Sequence, residues 1–188
     1  APSTDGIRTV VYGNQSQLAF EELGPYSMLP RLDIIERCDG GQEPHESHYA
    51  WALSRRVLSF LYGGVSVDRT LRDLSGALPV RCTDELSVAN DACVAAARAM
   101  SAGRAIVVAS GMPGLGRRTL LAAAANEAGI EVLEIDARKL SKDAATFSRQ
   151  LRAIARECKL LARVPLIANL DALVADKEGD KENRIEAV

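Results

Sequence analysis

The chain has 188 residues, of which 47% are hydrophobic and only 4% aromatic, and its net charge is −2. That length suits one domain, or one domain with a substantial extension, and the near-neutral balance gives no electrostatic reason to expect a nucleic acid or an anionic membrane as partner. No apolar run approaches the ~18–20 residues of a transmembrane helix. Four scattered cysteines without a C-x-x-C pair fit reduced thiols better than a disulfide framework. The opening residues have neither the basic start nor the apolar core of a signal peptide, so a cytoplasmic protein is expected.

In chain order, IRTVVY (7–12) predicts a short strand. Gly24-Pro25 and Leu29-Pro30 break the next stretch into pieces. Leu32, Ile34 and Ile35 predict a short strand or a helical turn, and CDGGQEPHESH (38–48) a loop. In that loop His45 and His48 stand beside Glu43 and Glu46, but no further histidine exists to complete a metal site. A solvated loop running into a helix is the expectation there. In YAWALSRRVLSFLY (49–62), Ala50, Leu53, Val57, Leu58 and Leu61 recur at helical spacing, and Gly63-Gly64 ends that helix. DRTLRDLSGAL (68–78) predicts a second short helix, stopped at Pro79. Thr83 and Asp84 cap a third, which runs to about Met100 and closes at Gly103. Its small residues Ala89, Ala92, Cys93, Ala96 and Ala97 suit close packing on a sheet.

A regular alternation follows. Residues 105–109 predict a strand, 117–128 a helix ended by Gly129, and 131–135 a strand ending at Asp136. Residues 144–161 form an amphipathic helix with Phe147, Leu151, Ile154 and Leu161 on one face; 165–170 are a third strand, and the tail after 175 is charged. This order predicts an α/β fold with a parallel sheet of at least three strands and right-handed crossovers. The expected division is a mixed, mainly helical region over 1–82 and an α/β core over 83–188.

The chemistry concentrates in AIVVASGMPGLGRRT (105–119). Gly111, Gly114 and Gly116 lie between a strand and a helix, the context in which backbone N–H groups cradle phosphate at a helix N-terminus. The spacing Gly111-x4-Gly116 is that of the P-loop. Arg117 stands where the loop's lysine would reach phosphate, and Arg118 where a hydroxyl would ligate magnesium. Arginine keeps the charge but replaces a compact ammonium by a planar fork, and it cannot ligate a metal. Thr119 offers a hydroxyl one residue late, roughly 100° around the helix.

The segment GMPGLGRRTLL resembles the P-loop of AAA+ ATPases, usually G-P-P-G-T-G-K-T, with Pro113, Gly114 and Gly116 in place. LIANLDAL (166–173) resembles the acidic strand end of that family, usually I-D-E-I-D-A-L, and shares its terminal L-D-A-L. The resemblance covers roughly residues 102–188; more loosely, 24–101 resemble the helical region ahead of the core in some bacterial AAA+ proteins. It implies that Ala168 takes the place of the metal-linked aspartate, Asn169 that of the catalytic glutamate, and Asp171 that of the later aspartate. A second register makes Asp171 the metal-linked residue and puts Ala172 at the glutamate position. Either way no general base remains.

The resemblance therefore implies a degenerate ATPase domain with no catalytic or metal-binding residues of its own. It would serve as a non-hydrolysing structural or regulatory module for a protein partner, namely an active AAA+ domain or ring. ATP or ADP, held weakly and without magnesium, is the implied ligand. Gly111, Gly114, Gly116, Arg117, Arg118, Thr119 and Asp171 are the candidate binding residues. An empty turn kept only to join strand to helix, and a nucleotide sensor that binds without hydrolysis, both remain open. A different class is a dinucleotide-binding Rossmann domain, with Gly114-x-Gly116-x-x-Thr119 as its turn and Asp136 as the ribose-binding acid. The last glycine of that pattern is missing, and Asp136 also reads as a strand-end cap. Ser110 lacks a nucleophile-elbow setting, and Cys158 reads as a packing thiol. The resemblance also implies two more strands, a polar sensor, an arginine finger and a helical lid beyond Asp171, so the chain is expected to be a fragment or a reduced relative.

Overall fold

The structure, a computed structural model, describes residues 1–173 apart from 14, 43–44, 77–89, 104 and 113. Among the expectations above, the stop at Pro79, the caps Thr83 and Asp84, and the charged tail fall outside the described residues. The chain divides into two compact units, Ala1–Asp68 and Arg69–Val188.

In the first unit the Ser3 hydroxyl accepts from the Gly6 amide and opens α1 (Thr4–Ile7), which continues as a π-helical turn over Arg8–Tyr12. This corrects the strand expected at 7–12. Val10 and Val11 are exposed, so no burial rewards an extended run, while the cap and the Arg8–Asp5 pair one turn apart favour a helix. Helices α2 (Ser16–Leu23) and α3 (Met28–Arg31) follow. Strand β1 (Ile35–Arg37) realises the strand alternative for the Ile34-Ile35 region. It pairs antiparallel with β2 (Trp51–Leu53), Arg37 opposite Trp51 and Ile35 opposite Leu53.

Strand β2 corrects the helix expected from residue 49. Trp51 is buried and its indole N–H donates to the Thr4 hydroxyl at 2.9 Å. That buried bond needs the pleated alternation, whereas the helical spacing of apolar residues begins to be used only at α4 (Arg55–Leu61). Ser54 caps α4, its hydroxyl accepting from the Val57 amide. In the loop, His45 accepts from the Ser47 amide and caps the single turn Glu46–His48. No group of three or more metal-ligating side chains occurs among the described residues.

The second unit opens with one 3-10 turn, Arg69–Leu71, in place of the helix expected over 68–78. Leu71 and Leu74 are buried, Ser75 bridges to Ile135, and the Asp136 amide donates to the Leu74 carbonyl at 3.1 Å. The segment keeps to tight turns as far as Ser75, whose amide donates to the Leu71 carbonyl at 2.8 Å, and there meets the strand edge, which supplies partners for its backbone in place of a further helical turn. Helix α5 (Asn90–Ser101) packs on α6 (Arg117–Glu127) through Cys93, Ala96, Ala97, Ala123 and Ala124. The small residues of α5 thus meet a helix with alanines of its own, not the sheet that was expected.

Strands β3 (Val132–Asp136) and β4 (Val164–Ala168) form a two-stranded parallel sheet, joined by α7 (Ala144–Leu160). Asp143 caps α7 by accepting from the Thr146 amide at 2.8 Å, and Phe147 and Ile154 face the core. The class is α/β, but the third strand, expected at 105–109, is not paired. Val107 packs against the α5–α6 cluster, while Ile106 and Val108 are 94% and 74% exposed. A strand needs a neighbour for its amides and carbonyls, and none of the described residues provides one. No described helix is long and apolar enough to cross a membrane.

Candidate functional site

The glycine turn ends in a left-handed residue. Gly116 has φ 70° and ψ 22°, a conformation that costs a residue with a Cβ roughly 1–2 kcal/mol. Gly114 is also at positive φ, 87°. This backbone delivers the chain directly into α6, whose first carbonyl bond runs from the Leu120 amide to Gly116 at 2.8 Å. No side chain caps the helix. Among the described residues the amides of Arg117, Arg118 and Thr119 have no hydrogen-bond partner, as the opening turn of a helix requires unless something external accepts from it. The turn can therefore receive a phosphate by backbone alone.

The two arginines part company at this point. Arg117 is half-buried, and its stem lies beside Gly111, where a Cβ would come within 3.9 Å of the Arg117 Cδ. It makes no ion pair among the described residues. Arg118 turns to the sheet instead: its Nε meets Glu134 Oε1 at 2.9 Å. Glu134 sits mid-strand on β3 with only 4% of its side chain exposed, against 51% for Arg118. Its other oxygen, Oε2, has no hydrogen-bond partner among the described residues. A Cβ on Gly76 would lie 2.5 Å from that oxygen, so a larger residue there would require the carboxylate to shift. Thr119 is half-buried on the same turn.

A second cluster forms at the carboxyl ends of the strands, where Asp136 and Ala168 are paired in register. Asp136 accepts from the Arg138 backbone amide at 3.1 Å and from its guanidinium at 2.7–3.3 Å. Asn169 donates to the same carboxylate at 2.8 Å. These bonds, the Arg138 guanidinium first, hold the Asp136 carboxyl well below the usual carboxylate range. Asn169 reaches Asp136 from a left-handed conformation, φ 57°, which asparagine tolerates better than most residues. Asp136 also caps the turn Ala137–Lys139, the role its strand-end position had suggested. Asp171 is exposed in the turn Leu170–Leu173, and its charge adds to that of Asp136 around Arg138.

The structure thus brings Gly111, Gly114, Gly116, Arg117, Arg118 and Thr119 together at one turn, and Asp136, Asn169 and Asp171 together at the strand ends. No hydrogen bond or ion pair joins the two clusters among the described residues. Two participants escaped sequence reasoning, Glu134 and Arg138. Glu134 is an acid inside the apolar run VLEI, and a charge in such a place is rarely fully buried without a partner; that was the available signal. Outside the site, burial pushes the Cys158 thiol up to about 11, which leaves it unreactive at neutral pH and consistent with packing.

The backbone of the turn suits an anion, and the side chains around it offer a magnesium ion few oxygen ligands. The metal needs oxygen ligands. The position implied for its hydroxyl holds a guanidinium, both Asp136 oxygens are engaged, Ala168 has none to offer, and the Asn169 side-chain amide is turned to Asp136, which leaves Asp171 as the one strand-end carboxylate on offer among the described residues.

No curated protein and no solved structure matches the chain. The model of the family described as "ATPase family associated with various cellular activities (AAA)" matches residues 107–188. The match starts in the extended run ahead of the glycine turn and takes in α6, β3, α7 and β4, the elements that carry both clusters. Residues 107–188 are thus similar to the AAA ATPase family.

Proposed function

We propose that this AAA domain is a non-hydrolysing module that acts structurally or as a regulator for an active ATPase domain, in the same parent chain or in a partner. The observation that carries this reading is the Arg118–Glu134 pair at 2.9 Å. The position that would ligate the metal is committed to an internal ion pair, and the strand end opposite offers Ala168 and Asn169 instead of two acids. Without a metal and a general base, water attack on a phosphoryl group has neither of its usual supports. Purified protein is expected to show no magnesium-dependent ATP turnover. Turnover that disappears on changing Gly116 or Arg117 would overturn the reading.

A specific observation also favours retained nucleotide binding: three free amides and an unpaired Arg117 face the turn among the described residues. The domain then senses ATP or ADP without consuming it. Calorimetry with ATP and with ADP is expected to show binding, and no heat at sub-millimolar nucleotide would remove this second reading. The dinucleotide alternative finds no such support, since both oxygens of Asp136 are already bonded.

A further inference from the structure

The misfit between this site and magnesium has a consequence for the ligand. We propose that Arg118, held in place by Glu134, supplies the positive charge that a metal ion would supply, so that the turn selects a nucleotide free of magnesium. The proposal rests on the nucleotide-binding reading above and deepens it by naming the form of the ligand.

Three observations carry it. First, Arg118 is not sealed by its partner. Nε lies 2.9 Å from Glu134 Oε1, and half of the Arg118 side chain stays exposed. A guanidinium has five N–H donors in a rigid plane. It can serve a carboxylate on one edge and a phosphate on another without changing rotamer. Arg118 is the second residue of α6, and helical side chains lean toward the N-terminus, the end at which the free amides gather.

Second, Glu134 is a fixed anchor. It is almost fully buried on β3, with 4% of its side chain exposed. Arg118 is therefore aimed, not merely neutralised. Third, the strand ends offer a divalent ion little. Asp136 is bonded twice over, and Asp171 is the one strand-end carboxylate without a hydrogen bond or ion pair among the described residues. An ion bringing two further positive charges would meet Arg117 and Arg118 at short range. Magnesium already bound to ATP would also lower the charge that attracts both arginines.

The test is calorimetry of the 188-residue protein with ATP, once in excess EDTA and once in excess magnesium chloride. Affinity in EDTA is expected to exceed that in magnesium several-fold. Affinity equal or higher in magnesium would overturn the proposal while leaving nucleotide binding intact. Absence of binding in both solutions would overturn both. Glu134→Gln supplies the positioning readout: affinity for ATP in EDTA is expected to fall several-fold, and to fall less in magnesium. An unchanged EDTA-to-magnesium ratio in a folded Glu134→Gln protein would show that the pair only braces the fold, and would sink the positioning role. Should that variant not fold, Arg118→Lys keeps the charge but not the fork, and is expected to weaken binding in EDTA and so narrow the difference between EDTA and magnesium. A Lys variant that binds like the parent would count against the forked geometry.

Discussion

The glycine turn and the strand ends are built in opposite ways. The turn is made by backbone: left-handed glycines, a helix without a side-chain cap, and amides without a partner among the described residues. The strand ends are made by side chains bonded to one another, with Asp136 tied to Arg138 and Asn169. Arg118 belongs by position to the first region and by chemistry to the second, because its partner is Glu134. The difference teaches that a backbone cradle is built by conformation and survives side-chain change, whereas a metal site depends on the identity of a few oxygen atoms.

The sharpest way to break the comparison is Arg118→Ala, which leaves the buried Glu134 without a partner. Removing one member of a buried pair costs about 3–5 kcal/mol; with Arg118 half exposed, about 2–3 kcal/mol is expected in urea unfolding. Adding Glu134→Leu should recover most of that loss; no recovery would mean that Arg118 acts through other contacts.

Gly116→Ala tests the turn itself. The left-handed backbone makes about 1–2 kcal/mol of destabilisation the expected result, together with weaker ATP binding in calorimetry. A variant that bound ATP normally would remove the turn from the candidate site.

Asp136→Asn should cost about 1–2 kcal/mol, since it removes charge-assisted hydrogen bonds. It carries a pH signature as well. The folded Asp136 pKa lies below its unfolded value, so its contribution is present at neutral pH and is lost as pH falls below the usual carboxylate range. The parent's stability should therefore drop more steeply in acid than that of Asp136→Asn; parallel acid profiles would contradict this.

Asn169→Gly is the mildest change. It keeps the positive φ available and deletes one hydrogen bond, so about 1 kcal/mol or less is expected. A larger loss would show that Asn169 organises the strand ends beyond its bond to Asp136.

Much of the carboxy-terminal unit was legible along the chain. Gly116 and Gly129 bracket α6, Asp143 caps α7, and β3 and β4 read as short apolar runs. The glycine turn and its two arginines were visible as a motif with two positions changed. The amino-terminal unit was less legible. Trp51 lies within an apparent helical period, yet its partner Thr4 is far away in sequence, and that contact makes it part of a strand. Periodicity reports which residues seek burial, not which neighbour will supply it.

The amino-acid sequence alone determined the local grammar of this protein: where helices are capped, where glycine permits a left-handed turn, and which oxygen-bearing residues are absent from the implied metal site. These follow from interactions within a few residues. Only the tertiary structure decided where each charge went. The Arg118–Glu134 and Asp136–Asn169 bonds join separate elements, and residues 105–109 stay unpaired among the described residues because a strand exists only beside another. Pairing across elements depends on which surfaces the fold brings together, and no local pattern encodes it.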